Sequence, residues 1–216
     1  MQRTRIDSVG LPTLPGITEL LGEELKAGVV YSVSGSTTLA MAMLAGPSRA
    51  GCWCGVVGVP TFGVEAAAAW GIDLDRLVLV PRTADQWLQV TAAMADVMTV
   101  VLTRPPAGCS PAEVARLGSR LRQRGATMIS LGGWPQSEAT LSAVESRWHG
   151  LGRPVRDGYD SGHGYLTARQ LTVRVEGRRW GGRSRTRQVW LPDSRHELGL
   201  GERVRALRDD GLAVVV

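Results

Sequence analysis

The chain holds a single lysine, Lys26, among 25 basic residues, one phenylalanine, three histidines and three cysteines. With one lysine, any phosphate site that needs an ammonium has one candidate. Cys52, Cys54 and Cys109 are too few for a disulfide framework, and without a neighbouring histidine they make no zinc site; buried free thiols in a reducing compartment fit better. His149, His163 and His196 are scattered, and no Ser–His–Asp or metal-ligand spacing includes them. The longest apolar region, Cys52 to Trp70, is broken by Pro60 and Glu65 and cannot span a bilayer. The N-terminus lacks the apolar core of an export signal, so a cytoplasmic location is expected.

What is present is ordinary in amount and uneven in placement. A chain of 216 residues, 44% apolar and 21% charged, is long enough for one domain with a proper core. Residues 1–150 carry twelve basic and twelve acidic residues. Residues 151–216 carry thirteen arginines against eight acids, which is the whole net charge of +5. A GC-rich genome produces an arginine bias without functional cause, so the bias alone is weak evidence for nucleic-acid binding.

Short runs rich in Val, Ile and Leu predict strands at 29–34, 52–59, 77–81, 99–103 and 126–131. Helical patterns lie at 17–25 (ending at Gly28), 37–45, 63–70, 84–96, 111–124 and 138–148. Residues 165–176 alternate, with Leu171, Val173 and Val175 on one face. A Gly/Arg turn and a strand at 186–191 complete an antiparallel hairpin. The expected fold is α/β: a mostly parallel sheet with helices on both faces and a C-terminal antiparallel hairpin. Residues 1–195 form the core domain, 1–16 an irregular arm, and 196–216 a polar tail with an apolar end.

Helix 111–124 has the clearest local signature. Ser110, Pro111 and Glu113 make a capping box with proline in the first turn. Arg116, Arg120 and Arg124 follow one another along a face, which suits solvent or, alternatively, a ridge for phosphate or an acidic partner.

Residues 28–46 have the layout of a phosphate-binding loop, strand then tight turn then buried helix, but depart from G-x-x-x-x-G-K-[ST]. Ser34, Gly35, Ser36, Thr37 and Thr38 make a shorter loop with no positive side chain. ATP hydrolysis on such a scaffold needs a loop lysine, a magnesium-holding acid and a water-orienting carboxylate. Ser36 stands at the lysine position, Thr103 at the acid and Val59 at the carboxylate, with Gly58 or Pro60 the alternatives after a small shift. The loop is read as degenerate, with no enzyme activity, cofactor or metal expected. The competing reading is a plain core helix capped by Thr37.

With loop, alternation and hairpin placed, the chain resembles the RecA recombinase superfamily. The resemblance rests on Gly28-Val-Val-Tyr-Ser-Val-Ser-Gly, on 52–57 before an Ala-rich helix, on Trp70-Gly-Ile-Asp-Leu-Asp-Arg-Leu77, and on 99–103. Within it the chain is similar to the short ImuA-prime family of GC-rich bacteria, through Gly51-Cys-Trp-Cys-Gly, Leu77-Val-Leu-Val-Pro81, Gly133-Trp-Pro135, Trp148-His-Gly-Leu-Gly152, Gly162-His-Gly-Tyr-Leu166 and Val189-Trp-Leu-Pro192. The resemblance implies a non-catalytic subunit of a DNA-damage-inducible mutasome (an SOS-response, mutagenic DNA-repair function), nucleoid-associated after damage. It implies binding to an ImuB-like, Y-family polymerase homologue, and through it indirect contact with an error-prone replicative-type polymerase. Two other classes stay open: a SulA-like cell-division inhibitor binding a tubulin-like GTPase, and a cryptic ATPase or recombination modulator.

Two surface regions are candidates for contacts. Arg178, Arg179, Trp180, Arg183, Arg185 and Arg187, with Tyr165 nearby, combine charge and a stacking ring and suit DNA, although a soluble hairpin tip explains them too. In the tail, Leu198, Leu200, Val204 and Leu207 are candidates for binding a partner. Seven tryptophans are mostly core; Trp134, Trp180 and Trp190 are possible interface anchors instead.

Overall fold

The computed structural model describes residues 10–151, 164–181, 183–192, 198–200 and 212–215. His163, His196, Val204 and Leu207 lie outside the described residues, as do the side chains of Tyr165 and Leu200.

The expected α/β class is the fold observed. Parallel strands β3 (Val30–Ser34), β4 (Cys54–Val57), β5 (Leu77–Val80), β6 (Val100–Thr103) and β7 (Thr127–Leu131) form one half of a sheet. The continuous apolar runs predicted these strands because both faces are covered. Helices α2 (Thr37–Arg49) and α3 (Val64–Ala69) cover one face, and α4 (Trp87–Val97) and α5 (Pro111–Arg124) the other, each with its own apolar cluster. Strand β8 (Ala139–Leu151) runs parallel to β3, and β9 (Gly164–Gly177) and β10 (Ser184–Trp190) continue the sheet antiparallel. The order is β11-β10-β9-β8-β3-β7-β6-β4-β5, where β11 (Gly199–Leu200) pairs with β10 and β12 (Leu212–Val215) pairs with β8. The described parts of the tail are therefore strands that extend the sheet.

One element differs in kind from its expectation. Residues 138–148, read as a helix, are most of β8. Ala139 and Leu141 point into the core and Thr140 and Ser142 away from it, a period of two. A bulge between Ala143 and Glu145 then inserts one residue and shifts the phase, so that Ser146 is the next buried side chain. That shift spaces the chain's apolar positions like a helix and hides the strand.

At the N-terminus, β1 (Gly10–Leu11) pairs with β2 (Leu25–Lys26) around α1 (Pro15–Leu21). The helix expected to run to Leu25 stops at Leu21, where Gly22 adopts φ 73° and returns its N–H to the Thr18 carbonyl. The arm then crosses α2 at Gly46, where a Cβ would lie 2.7 Å from the Pro12 carbonyl oxygen. The predicted capping box is formed: Glu113 N–H donates to Ser110 Oγ, and Ser110 N–H donates to the Glu113 carboxylate at 2.7 Å. Cys54 is buried and its thiol is pushed up to about 12 by that burial; Cys52 and Cys109 are half-buried. No His/Cys/Asp/Glu cluster among the described residues could hold a metal ion. No helix among them is long and apolar enough to cross a membrane.

Candidate functional site

The candidate phosphate loop sits where β3 meets α2, at the carboxyl end of the parallel strands. Ser34 ends β3 and Thr37 opens α2, so Gly35 and Ser36 are the whole connection. Gly35 takes φ 76°, which only glycine adopts without strain, and a Cβ there would lie 2.7 Å from the Ala143 carbonyl oxygen of β8. Ser34 Oγ donates to Ser142 Oγ on the same strand at 3.0 Å. Ser36 is buried, and its hydroxyl caps α2 by accepting the Leu39 N–H at 3.2 Å. Thr37 and Thr38, both half-buried, make no side-chain hydrogen bond among the described residues. The cap is thus Ser36, where Thr37 had been the alternative.

The two lost-carboxylate positions are apolar in their surroundings. Val59 is buried in the α2/α3 cluster beside Phe62. Thr103 ends β6 with no exposed surface, and its hydroxyl accepts the Trp87 indole N–H at 2.7 Å. Trp87 packs at a tilt on Trp134, ring centroids 5.9 Å apart. An indole therefore occupies the space in front of Thr103.

Lys26 stands at the other end of β3. A strand rises about 3.3 Å per residue, so the lysine and the loop are on the order of 15 Å apart. Its ammonium bridges Glu138 at 2.7 Å and Glu23 at 2.8 Å. Burial lowers its proton affinity, but the two carboxylates outweigh that and hold the pKa above the ordinary lysine range. Beside this bridge, Gly28, Gly118, Arg122, Trp134, Glu138 and Arg178 help line a cavity of about 120 Å³, which the sequence reading did not anticipate. Its walls come from β3, α5 and the 132–138 crossover, and no local motif spans them.

The hairpin candidates come together but are largely engaged within the molecule. Arg178 donates to the Gln136 carbonyl at 3.0 Å, and Arg179 pairs with Glu23 at 3.1 Å. Arg185 lies over the Trp180 ring, 5.3 Å from its centroid. Trp180 packs against Gly177 and Gly22, tying the tip to the end of α1. Arg183 and Arg187 are exposed, and Arg187 donates to the neighbouring Thr186 carbonyl at 3.3 Å. Of the other tryptophan anchors, Trp134 is core, and Trp190 is buried against His149 with centroids 4.8 Å apart. On α5, Arg120 and Arg124 both pair with Asp96 of α4, which leaves Arg116 as the ridge's outward charge. In the tail, Leu198 is half-buried against α1, its side chain filling the space over Gly16.

A family model described as the MT3502 N-terminal domain matches residues 19–136, from α1 through β7 to the crossover. The uncharacterized protein Rv3395c of Mycobacterium tuberculosis (strain ATCC 25618 / H37Rv) is 29% identical over 155 residues, covering 71% of this chain and 76% of that protein.

Proposed function

The chain belongs to the MT3502 N-terminal domain family, and from that premise we propose that it is a RecA-like, ImuA-prime-type scaffold: a non-catalytic accessory subunit of a translesion-synthesis mutasome. It binds an ImuB-like polymerase homologue as a protein partner and hydrolyses no nucleotide.

The observation that carries this reading is a loop without a basic side chain, together with the indole over Thr103. A triphosphate must be surrounded by donors and countercharge. Here a two-residue turn is backed by Ala143, and Trp87 sits on the position where a magnesium-holding acid would be. The helix start supplies about 0.3–1 kcal/mol toward an anion, far less than a lysine and a metal together. A fold that keeps the architecture of such a site without its charges is suited to presenting surfaces.

Two measurements test the proposal. The purified chain should show no Mg·ATPase activity above background and no heat of ATP binding. Turnover lost on substituting Ser36 or Thr37 would sink the non-catalytic reading. Capture from DNA-damaged cells should recover polymerase subunits, and Val204→Asp with Leu207→Asp should abolish that recovery. Recovery of the division-ring GTPase in their place would reject the mutasome assignment. Point changes are preferable to deleting 196–216, because β11, β12 and Leu198 are joined to the core.

A further inference from the structure

The sheet ends at β5. Leu77–Val80 pairs with β4 on one side and with nothing on the other among the described residues. Gly58 N–H donates to the Val80 carbonyl at 2.9 Å, so Val80, and by alternation Val78, turn their peptide groups toward β4. Leu77 and Leu79 therefore turn theirs outward; the Leu77 N–H is taken by the Leu74 carbonyl of the 3-10 turn, which leaves the Leu77 carbonyl and both groups of Leu79 unpaired among the described residues. Proteins usually blunt such an edge with charge or a bulge inside the strand. This strand, Leu-Val-Leu-Val, has neither, and Leu79 is 37% exposed and Leu74, in the preceding 3-10 turn, 43%. Charge gathers only at its two ends. Asp73 and Asp75 precede it and Arg82 follows. Asp73 lies 3.7 Å from Arg76, while Asp75 and Arg82 have no ion pair among the described residues.

We propose that this edge is a self-association surface: a second copy of the chain docks on it, the two β5 strands pairing antiparallel about a two-fold axis at Val78. Facing residues in an antiparallel pair must share both the direction of their peptide groups and the sheet face. Leu77 therefore meets Leu79 of the second copy, Leu79 meets its Leu77, and Val78 meets Val78. The outward N–H of Leu79 in each copy then donates to the outward carbonyl of Leu77 in the other. The same register sets Arg82 against the 73–75 turn of the second copy, beside the free Asp75, and symmetry makes that contact twice. Moving the axis to Leu79 would set Arg82 against Arg76, like charge on like. Charge therefore selects the register, and this is what favours a copy of the chain over an unrelated strand. Pro81 has no N–H to offer and closes the edge, so the contact is a short, weak dimer and not the start of a fibre.

Sedimentation of the full chain between about 1 and 300 µM, the range expected of a small interface, tests this. A reversible monomer–dimer equilibrium is expected. Leu79→Lys should abolish it and Arg82→Glu should weaken it about tenfold. Asp75→Arg combined with Arg82→Glu should restore it, with circular dichroism unchanged throughout. A monomer at every concentration overturns the proposal, including the case where the edge serves an extended segment of another protein. So does a dimer indifferent to both single changes. Should Leu79→Lys fail to fold, Arg82→Glu, at an exposed site, decides alone.

Discussion

The β3–α2 loop and the β9–β10 tip were both candidates for an anionic ligand, and the structure makes them opposites. The loop has the right place in the fold and no charge; the tip has charge in abundance and most of it already in use. At the loop, Ala143 backs Gly35, Trp87 caps Thr103, and no basic side chain stands in the turn. At the tip, the space is open but Arg178, Arg179 and Arg185 answer to Gln136, Glu23 and Trp180. A binding site needs vacancy and unspent charge in one location; the loop supplies no charge, and the tip has committed most of its own.

The contrast is broken most severely at Trp87. Trp87→Ala removes the indole from Thr103 and its packing on Trp134, and should cost about 3–5 kcal/mol in chemical denaturation. If the loss is under about 1 kcal/mol, the seal over Thr103 is not structural. Gly35→Ala is next: a side chain at φ 76° pressed toward the Ala143 carbonyl should cost about 1–3 kcal/mol in the same assay.

At the tip, Trp180→Ala should cost less, about 1–2 kcal/mol, because the ring is only half-buried. Its signature would be faster hydrogen exchange in β9 and β10 with β3 unaffected. If the tip does touch DNA, neutralising the exposed Arg183 and Arg187 should flatten the salt dependence of affinity by about 0.9 per lost phosphate contact. Neutralising the engaged Arg178 and Arg179 should change it less; the reverse order would mean that their internal pairs open on binding.

The smallest effect concerns Asp96 between α4 and α5. Its hydrogen bond to Arg120, against a minor desolvation and with help from Arg124, holds its carboxyl below the ordinary range. Its folded value lies below its unfolded one, so its contribution is present above the unfolded carboxylate range of about 4 and is lost as pH falls through the folded value. Asp96→Asn should therefore lower stability slightly above that range and leave it unchanged below the folded value, which flattens the acid limb of chemical denaturation by the same small amount.

What could be read from the residues divides along the same line. The parallel strands and the bounds of α5 follow from local patterns: continuous aliphatic runs, and a Ser-x-x-Glu box that the structure forms. The alternation of Leu171, Val173 and Val175 likewise appears as three fully buried side chains. Strand β8 escaped because one bulged residue disguises a period of two. The missing charge of the loop was visible because it is a matter of residue type at a few adjacent positions. The seal was not, since Trp87 reaches Thr103 from another element, sixteen residues away in the chain. Whether an arginine is free is equally non-local: Arg179 depends on Glu23, 156 residues distant.

Strand β8 has a mechanical consequence. Among the described strands it alone borders both halves, running alongside β3 over Tyr31–Ser34, opposing β9 from Ala139 to Leu151 and β12 over its last residues, 147–151. Ala143, on that strand, abuts Gly35 directly. Any load placed on the C-terminal strands thus arrives at the start of α2 without an intermediate, and the Gly35–Ser36 turn becomes the point where the two halves would register each other's displacement.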